Sequence, residues 1–562
     1  MSDPVSDNDK PADNATPPAK SEHAAANDPT VNAEGEGPAE RARPIAAIVV
    51  EGRAHAVGRR TAYALAFATG VLYFLGFAGT DIWPCALIAL APMVVAMEGQ
   101  TPRRCLEIGA IAGFTMNMMG FYWLYGMLKT FSGFPGPICV LFMSLLCAYQ
   151  GGRIGLFGWL AGRAKERGWP GTLSLVLAFA ASELLYPLLF PWYFAASVHQ
   201  VPALSQLGEA GGPYIVGLVL AAPSLALAEL YWAWRLKRPL SRGLVAVGLA
   251  TPALASLVGW VRIAQVEARM LTSEKVHVGI VQGNMPLLQK RDDHLESLRR
   301  HLRMTEELRT KGADFAVWSE SAVMWNIPED DYDRYLQFLF TKRLGIPALF
   351  GALLVARNSE SRRAYNVALA TDAEGRVVGR YDKHYLLAFG EYIPFGETFP
   401  ILYQWSPNSG HLTPGKSIEP VMLAGHPVSA LVCYEDILPS FVNNAVNHGQ
   451  PEMIVNVTND AWFGDTTEPW IHLALAKMRA IEHRRYLLRS TNSGVSAVID
   501  PIGRVVANSG TYREETVDAV AHWMRGPKTI YEIVGDAPWW LAAAAIVGMA
   551  FYRAPARWRR AS

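Results

Sequence analysis

Cys433 is the residue with the clearest capacity for chemistry, because a short apolar run, Val428–Val432, ends directly before it. A buried strand that ends at a cysteine places the thiol at the edge of a sheet, and Glu435 follows two residues later. The other four of the five cysteines lie in apolar stretches far upstream and offer no local disulfide partner. A lone cysteine in this position is either a packing residue or a nucleophile.

Two more polar residues stand at the ends of predicted strands. Glu320 comes just after the apolar run Phe315–Trp318, and Lys383 follows a predicted hairpin with Gly375 at its turn. A carboxylate can take the proton of a thiol, and an ammonium group can stabilise both the thiolate and a developing oxyanion. A surface salt bridge explains a glutamate and a lysine equally well. From the residues alone, a catalytic triad and simple packing therefore both stay open.

The elements that must position these side chains are short apolar strands that alternate with amphipathic helices between residues 269 and 530. This alternation predicts a layered α/β domain, and about 260 residues are enough for a core of its own. The predicted strands are 276–281, 315–318, 348–352, 365–370, 428–432, 453–457 and 494–499, and the predicted helices are 292–311, 329–343, 437–448 and 468–488.

The remainder of the chain has the composition of a membrane protein. Hydrophobic residues make up 51% of the 562 residues, and the mean hydropathy is +0.12. A bilayer span takes about 20 apolar residues. Residues 55–268 are predicted to form a membrane domain of about seven transmembrane helices, and residues 531–562 a last span with a basic cytoplasmic tail. The predicted spans are 61–79, 82–98, 106–128, 137–160, 171–190, 211–234, 243–263 and 537–552.

The charge pattern of the loops predicts the orientation. Arginine and lysine cluster at alternate ends of the spans, as at Arg103–Arg104 and Arg235–Arg242, while the loops between them carry only Lys129. Basic loops stay in the cytoplasm. Eight spans with both termini cytoplasmic satisfy this pattern, which places residues 269–530 on the outer face. Residues 1–45 are predicted to form a disordered polar tail that is not a secretory signal peptide.

Other classes of function find little support in the sequence. The chain has no basic patch interleaved with aromatic residues, so we predict no nucleic-acid partner. It has no CxxC pair, so we predict no metal site, no redox motif and no cofactor.

The polar segments, in their order along the chain, resemble those of the carbon–nitrogen hydrolase (nitrilase) superfamily. Together with the predicted spans they resemble its membrane-bound members, the apolipoprotein N-acyltransferases, from about residue 55 to the last span. The resemblance implies a four-layer α-β-β-α sandwich on the outer face of a multi-pass helical membrane domain. The matching segments are Val281–Asn284, Trp318–Ser321, Lys383–His384, Phe389–Glu391, Cys433–Glu435, Asn459–Gly464 and Arg489–Gly494.

The resemblance also implies roles for particular residues. Glu320 would be the general base, Lys383 the oxyanion stabiliser and Cys433 the nucleophile, with Glu391 and Glu435 as supporting carboxylates. A thioester intermediate needs a dry site. The residues predicted to bind substrate are Leu386, Leu387, Phe389, Phe395 and Trp462.

The reaction that the resemblance implies is a ping-pong acyl transfer in the bacterial inner membrane, with the catalytic domain periplasmic. The acyl donor would be a membrane phospholipid, at sn-1 of phosphatidylethanolamine. The acceptor would be the N-terminal amine of a diacylglyceryl-cysteine lipoprotein after signal-peptide removal, and the intermediate a thioester on Cys433.

The sequence departs from the family pattern at several places, which leave room for a different acceptor. Ser319 stands where proline is usual, and Tyr385–Ala388 replaces a usual His-Leu-Val-Pro. Lys290–Arg291 lies where a lid tryptophan is often found, and the arginine usual one turn after Glu183 is missing.

Two alternatives remain beside acyl transfer. A membrane-tethered amidase that hydrolyses a small amide would use the same triad, but it would not need the membrane spans. The second alternative is a transporter-like or scaffolding membrane protein whose outer domain only binds. It would not need the triad, so the intact set of Glu320, Lys383 and Cys433 argues against it.

Overall fold

The computed structural model describes residues 55–285, 294–340, 344–356, 363–388, 390–393, 395–405 and 410–559. The predicted tail 1–45, the pair Lys290–Arg291 and the predicted substrate-binding residue Phe389 lie outside the described residues.

The first part of the structure is a bundle of apolar helices with one large hydrophobic core. Short polar or Pro/Gly segments separate them, because proline and glycine end helices readily. The helices are α1 Arg59–Leu75, α2 Pro84–Ile88, α3 Ala91–Met97, α4 Pro102–Gly120, α5 Leu124–Ser132, α6 Gly136–Glu166, α7 Gly171–Leu185, α8 Pro202–Ser205, α9 Gly208–Leu236 and α10 Arg242–Thr272.

Three helices among the described residues, α6, α9 and α10, are long and apolar enough to cross a membrane. The second predicted span is divided into α2 and α3, and the fifth ends at Leu185, five residues before the predicted limit of 190. The third predicted span ends at Gly120, and α5 begins after a short turn. The eight-span topology with cytoplasmic termini stays a prediction.

Glu183 has an arginine partner, although it is not the arginine that the family resemblance leads us to expect one turn after it. Arg153 of α6 forms an ion pair with Glu183 of α7, and both side chains are buried. Arg153 also donates to the hydroxyl of Tyr73 at 3.1 Å. A buried carboxylate without a cationic partner is strongly destabilising. Arg153 on the neighbouring helix therefore takes the place of the arginine that is missing one turn after Glu183.

The second part of the structure consists of two sheets flanked by helices. The strands are β1 Lys275–Gln282, β2 Phe315–Trp318, β3 Val323–Pro328, β4 Ala348–Val355, β5 Ala364–Thr371, β6 Val377–Asp382, β7 Val421–Leu423, β8 His426–Val432, β9 Met453–Thr458, β10 Tyr486–Thr491, β11 Ala497–Ile499, β12 Val505–Asn508 and β13 Glu515–His522. One sheet has seven strands in the order β13-β1-β2-β4-β5-β6, with β3 paired to β4, and the other has six in the order β12-β11-β10-β9-β8-β7.

The helices cover the outer faces of both sheets, which gives the expected four-layer α-β-β-α sandwich. Apolar side chains of both sheets, such as Ile280 and Val455, form the inner core, and the first two helices of this part pack on the outer face of the seven-stranded sheet. The helices are α11 His294–Thr310, α12 Tyr332–Phe340, α13 Ile401–Trp405, α14 Pro439–Gly449, α15 Glu468–His483 and α16 Ile530–Val534, followed by α17 Ala537–Phe551 and α18 Ala556–Arg559.

Helix α15 joins the two parts of the structure. Leu473 and Ala476 face the sandwich core, whereas Ile471 and Leu475 belong to the core of the membrane helices. Burial of each leucine or isoleucine contributes about 1.5–3 kcal/mol. The helix therefore holds the sandwich against the bundle.

The predicted helix 468–488 extends too far and includes the first residues of strand β10. Helix α15 ends at His483, because Arg484 takes a left-handed φ of 51°, and Tyr486 begins the central strand β10. No glycine or proline marks this change of direction in the sequence, so the sequence pattern wrongly predicted that the helix continues.

Candidate active site

Cys433 occupies a sharp turn between strand and helix. It directly follows β8, its φ is +55°, and it begins a short 3-10 turn, Cys433–Ile437. A non-glycine residue in this conformation costs about 1–3 kcal/mol, which the neighbouring structure must offset. The Asn456 side chain contributes by donating to the backbone carbonyl of Cys433 at 2.9 Å. The turn lifts the half-buried thiol out of the end of the sheet.

Glu320 and Lys383 meet at the end of the other sheet. The Lys383 Nζ lies 3.6 Å from Glu320 Oε1, and the Asn366 amide donates to the same oxygen at 2.7 Å. The backbone N–H of Glu320 donates across the sandwich to the carbonyl of Thr458 at 3.3 Å. Gly351 of β4 lets the Glu320 backbone pack closely against this strand, because a Cβ at position 351 would lie 2.5 Å from the Glu320 Cα.

Lys383 is held as an ammonium ion. Its side chain is only 1% exposed, and the Glu391 carboxylate lies 2.8 Å from its Nζ. Burial alone would lower the pKa of Lys383, but the charges of Glu391 and then Glu320 raise it above its ordinary value. The site therefore keeps a fixed positive charge beside the thiol, as an oxyanion stabiliser requires.

The resting form of Cys433 is the thiol. Burial, followed by the negative charge of Glu320, raises its pKa above the ordinary value, and Lys383 opposes this shift. Nucleophilic attack therefore requires a base that takes the proton during the reaction. A carboxylate is such a base, and backbone contacts of Glu320 with Thr458 and of His384 with Glu435 bring Glu320 and Lys383 to the same end of the sandwich as Cys433.

Glu435 ties the lysine loop to the cysteine turn. Its two oxygens accept from the backbone N–H of His384 at 2.6 Å, of Tyr385 at 3.0 Å and of Val432 at 2.8 Å, and from the Tyr381 hydroxyl at 2.8 Å. Burial raises the pKa of Glu435 to about 7, although the backbone hydrogen bonds oppose this. Removal of this carboxylate would release both segments at once.

The predicted substrate-binding residues do not all lie together. Leu387 lines a cavity with Cys433, and the half-buried Leu386 is its neighbour in the chain. Trp462 packs against the core of the membrane helices. Phe395 is 76% exposed on the surface of the following loop, so its side chain is not part of this cavity.

The cavity at Cys433 is largely apolar and formed by both parts of the structure. Trp123 supplies part of the wall from the helical bundle, and its ring centroid lies 4.9 Å from that of Phe463. Most lining side chains are hydrocarbon or aromatic, a surface that suits an acyl chain, whereas Glu468 and His472 add polar groups. The lining residues are Phe121, Trp123, Phe190, Pro191, Leu387, Cys433, Tyr434, Ile437, Phe463, Glu468, Ile471, His472 and Leu475.

Sequence reasoning gave no role to a buried charged cluster behind the cavity. His472 lies 2.8 Å from Asp436 and 3.2 Å from Asp460, while Arg489 contacts the same two carboxylates at 2.6 Å and 3.0 Å. Asp460 and Arg489 lie in two of the segments that match the family, Asn459–Gly464 and Arg489–Gly494, and this match was the one hint in the sequence that they have a role. Asn366 was missed as well; the only hint was a polar residue within an apolar strand.

This cluster does not suit a metal ion. Donor atoms of Asp460, Glu468 and His472 lie within 4.8 Å of one another. However, both ring nitrogens of His472 face carboxylates, and the guanidinium of Arg489 already contacts Asp460. Burial alone would lower the pKa of His472, but the two aspartates raise it to about 9, so the ring is a cation rather than a ligand.

Comparison with known proteins agrees with this arrangement. The family model described as the apolipoprotein N-acyltransferase N-terminal domain matches residues 69–226, and the carbon-nitrogen hydrolase model matches residues 277–520. An amidase of the nitrilase superfamily from Nesterenkonia has 19% identity and a TM-score of 0.35, over 47% of this chain and 95% of that one.

Curated relatives extend over both parts of the structure. An apolipoprotein N-acyltransferase of Geobacter metallireducens is 27% identical over 89% of this chain and 96% of that protein. Another, from Nitrosomonas europaea, is 31% identical over 78% of this chain and 87% of that protein. The similarity therefore covers helical bundle and sandwich together, and the chain belongs to the apolipoprotein N-acyltransferase family.

Proposed function

We propose that this protein transfers an acyl chain from the sn-1 position of phosphatidylethanolamine to the N-terminal amine of a diacylglyceryl-cysteine lipoprotein. The observation that carries the proposal is the position of Cys433. Cys433 lies at the same end of the sandwich as the Glu320–Lys383 pair, and it lines a largely apolar cavity whose other wall is formed by segments that connect the membrane helices. A small-amide hydrolase needs the first feature but not the second.

The first half-reaction forms a thioester on Cys433. Glu320 takes the thiol proton, and the sulfur attacks the ester carbonyl of the phospholipid. The ammonium of Lys383 stabilises the oxyanion of the tetrahedral intermediate, a contribution that is typically worth about 100- to 1,000-fold in rate. Collapse breaks the C–O bond, and the proton on Glu320 passes to the departing lysophospholipid.

The second half-reaction transfers the acyl chain to nitrogen. The amine attacks the thioester carbonyl, Lys383 again stabilises the oxyanion, and the C–S bond breaks. One proton of the amine passes to Glu320 and then to the sulfur, which restores the thiol. The apolar wall of the cavity excludes water from the thioester until the amine arrives.

The proposed placement of the protein follows from its charges and substrates. Residues 55–268 and the last span would lie in the inner membrane, residues 269–530 on its periplasmic side, and both termini in the cytoplasm. Both substrates would be anchored in the same leaflet, and their confinement beside the site raises their effective concentration.

The test is a transfer assay with defined substrates. Purified protein is incubated with phosphatidylethanolamine and a diacylglyceryl-cysteine peptide, and mass spectrometry identifies the product. We expect an N-acylated peptide and lysophospholipid in equal amounts, and neither from Cys433→Ala. Release of free fatty acid without N-acylated peptide would contradict the proposal and would favour a hydrolase.

A further inference from the structure

Glu468 lies in the wall of the Cys433 cavity, and the steps above give it no role. It is the first residue of α15, it is only 7% exposed, and its side chain lines the cavity. Its Oε2 has no hydrogen-bond partner among the described residues. A buried polar atom without a partner costs about 1–3 kcal/mol. Such an atom in a cavity wall indicates a ligand that supplies the missing bond.

The charged groups around Glu468 are already engaged with one another. Asp436 and Asp460 pair with Arg489 and with His472, and these four groups together carry no net charge. The nearest cation of the four, His472, lies 3.9 Å from Glu468 but is closer to both aspartates. Glu468 is therefore a fifth ionisable group beside the four, and the cation nearest to it already pairs with both aspartates.

We propose that Glu468 binds the primary amine of the acyl acceptor and holds it against the Cys433 thioester. A primary amine can donate the hydrogen bond that Oε2 lacks, and as a cation it complements the carboxylate. The ester group of the phospholipid offers only acceptors, whereas an ethanolamine headgroup also carries a primary ammonium; binding of that headgroup instead would slow acylation of Cys433 rather than transfer to the acceptor. The inference rests on the proposed function, since it assigns a residue to its second half-reaction.

The proton balance of this step is simple. The acceptor binds as an ammonium ion beside the Glu468 carboxylate, and the two groups share one of its three protons. When that proton is on Glu468, the nitrogen lone pair is free to attack. Burial, followed by the charge of Asp460, raises the pKa of Glu468 well above its ordinary value, which favours this arrangement. The C–N bond then forms, the C–S bond breaks, a second amine proton reaches the sulfur through Glu320, and Glu468 releases its proton to bulk water.

The experiment separates the two half-reactions in Glu468→Gln. Intact-protein mass spectrometry follows acylation of Cys433 by phosphatidylethanolamine, and then loss of the acyl group after addition of a diacylglyceryl-cysteine peptide. We expect acylation within about twofold of the unmodified protein, and amine-dependent transfer about 100-fold slower, the low end for loss of a positioned proton acceptor. Glu468→Asp keeps a carboxyl group and should recover part of the transfer rate.

Two controls make the result specific. Hydroxylamine is a small nucleophile that needs no docking site, so it should cleave the acyl-enzymes of Glu468→Gln and the unmodified protein equally fast. Glu482→Gln removes a buried carboxylate from the same helix that does not line the cavity, and it should leave transfer unchanged. Melting temperatures show that each variant is folded; where Glu468→Gln is not, Glu468→Asp alone tests the step.

Two outcomes would overturn the inference. Amine-dependent transfer that is unchanged in Glu468→Gln would show that the residue does not bind the acceptor. An equal loss in acylation and transfer would show a general structural role. Failure of the unmodified protein to form any acyl adduct would instead refute the proposed function, so the two failures are distinguishable.

Discussion

Replacement of Lys383 by methionine tests the electrostatic core of the site. The change removes a buried ammonium that lies 2.8 Å from Glu391 and 3.6 Å from Glu320, and it keeps an unbranched side chain that is one atom shorter. Removing one partner of a buried ion pair costs about 3–5 kcal/mol, because the remaining charge is left uncompensated. For a domain of this size, 1 kcal/mol corresponds to about 2–4 °C, so the melting temperature should fall by about 10 °C.

The double variant Lys383→Met with Glu391→Gln separates stability from catalysis. With no uncompensated carboxylate at position 391, much of the lost stability should return, since an ion pair replaced as a whole is often near neutral. The acylation of Cys433 should stay about 100- to 1,000-fold slow, because the oxyanion stabiliser is still missing. The measurements are thermal unfolding in detergent and intact-protein mass spectrometry of the acyl adduct.

Two results would refute this reasoning. A double variant no more stable than Lys383→Met would show that Glu391 is not the partner whose charge matters. Normal acylation in the double variant would show that Lys383 does not stabilise the oxyanion.

Three further predictions concern other parts of the site. Glu435 has a pKa near 7 in place of 4.5, so the folded protein binds its proton more tightly than the unfolded chain. The resulting stabilisation is complete below about pH 4.5 and is lost as the pH rises through 7; Glu435→Gln should flatten the melting-temperature profile over that interval, and an unchanged profile would contradict the assignment. Trp123→Ala removes a wall of the cavity and should cost about 3–5 kcal/mol and slow acylation by phospholipid more than cleavage by hydroxylamine, whereas equal effects would argue against an acyl pocket. Arg489→Met leaves Asp436 and Asp460 to share His472, so the melting temperature should fall by about 10 °C; a loss below about 2 °C would show that the cluster is not an ionic network.

The sequence predicted the family and the fold class correctly, because the signals for both are local. Glu320 and Cys433 follow apolar runs, Lys383 follows a predicted hairpin, and the order of the motifs identifies the family. The structure adds what no local pattern contains. Glu320 and Lys383 come from one sheet and Cys433 from the other, so only the packing of the two sheets brings their segments to the same end of the sandwich.

The errors arose where a side chain's partner comes from a distant segment. Leucine and arginine in Tyr486–Thr491 continue a helical pattern, but pairing with β9 and β11 turns the segment into a central strand. The absence of the usual arginine after Glu183 was noted correctly, but its ion pair with Arg153 of another helix has no local sequence signal. Phe395 was expected in the acyl pocket because it is apolar, yet it lies on the surface. Side-chain type alone does not tell an inward residue from an outward one.

The most direct test of the central claim is to trap the acyl-enzyme. The purified protein is incubated with phosphatidylethanolamine alone, and peptide mass spectrometry locates any adduct. The account predicts one acyl group on Cys433 that hydroxylamine removes, no adduct in Cys433→Ala, and none in Glu320→Gln at short times. An unmodified Cys433 in a folded protein that still N-acylates the acceptor peptide would contradict the thioester mechanism.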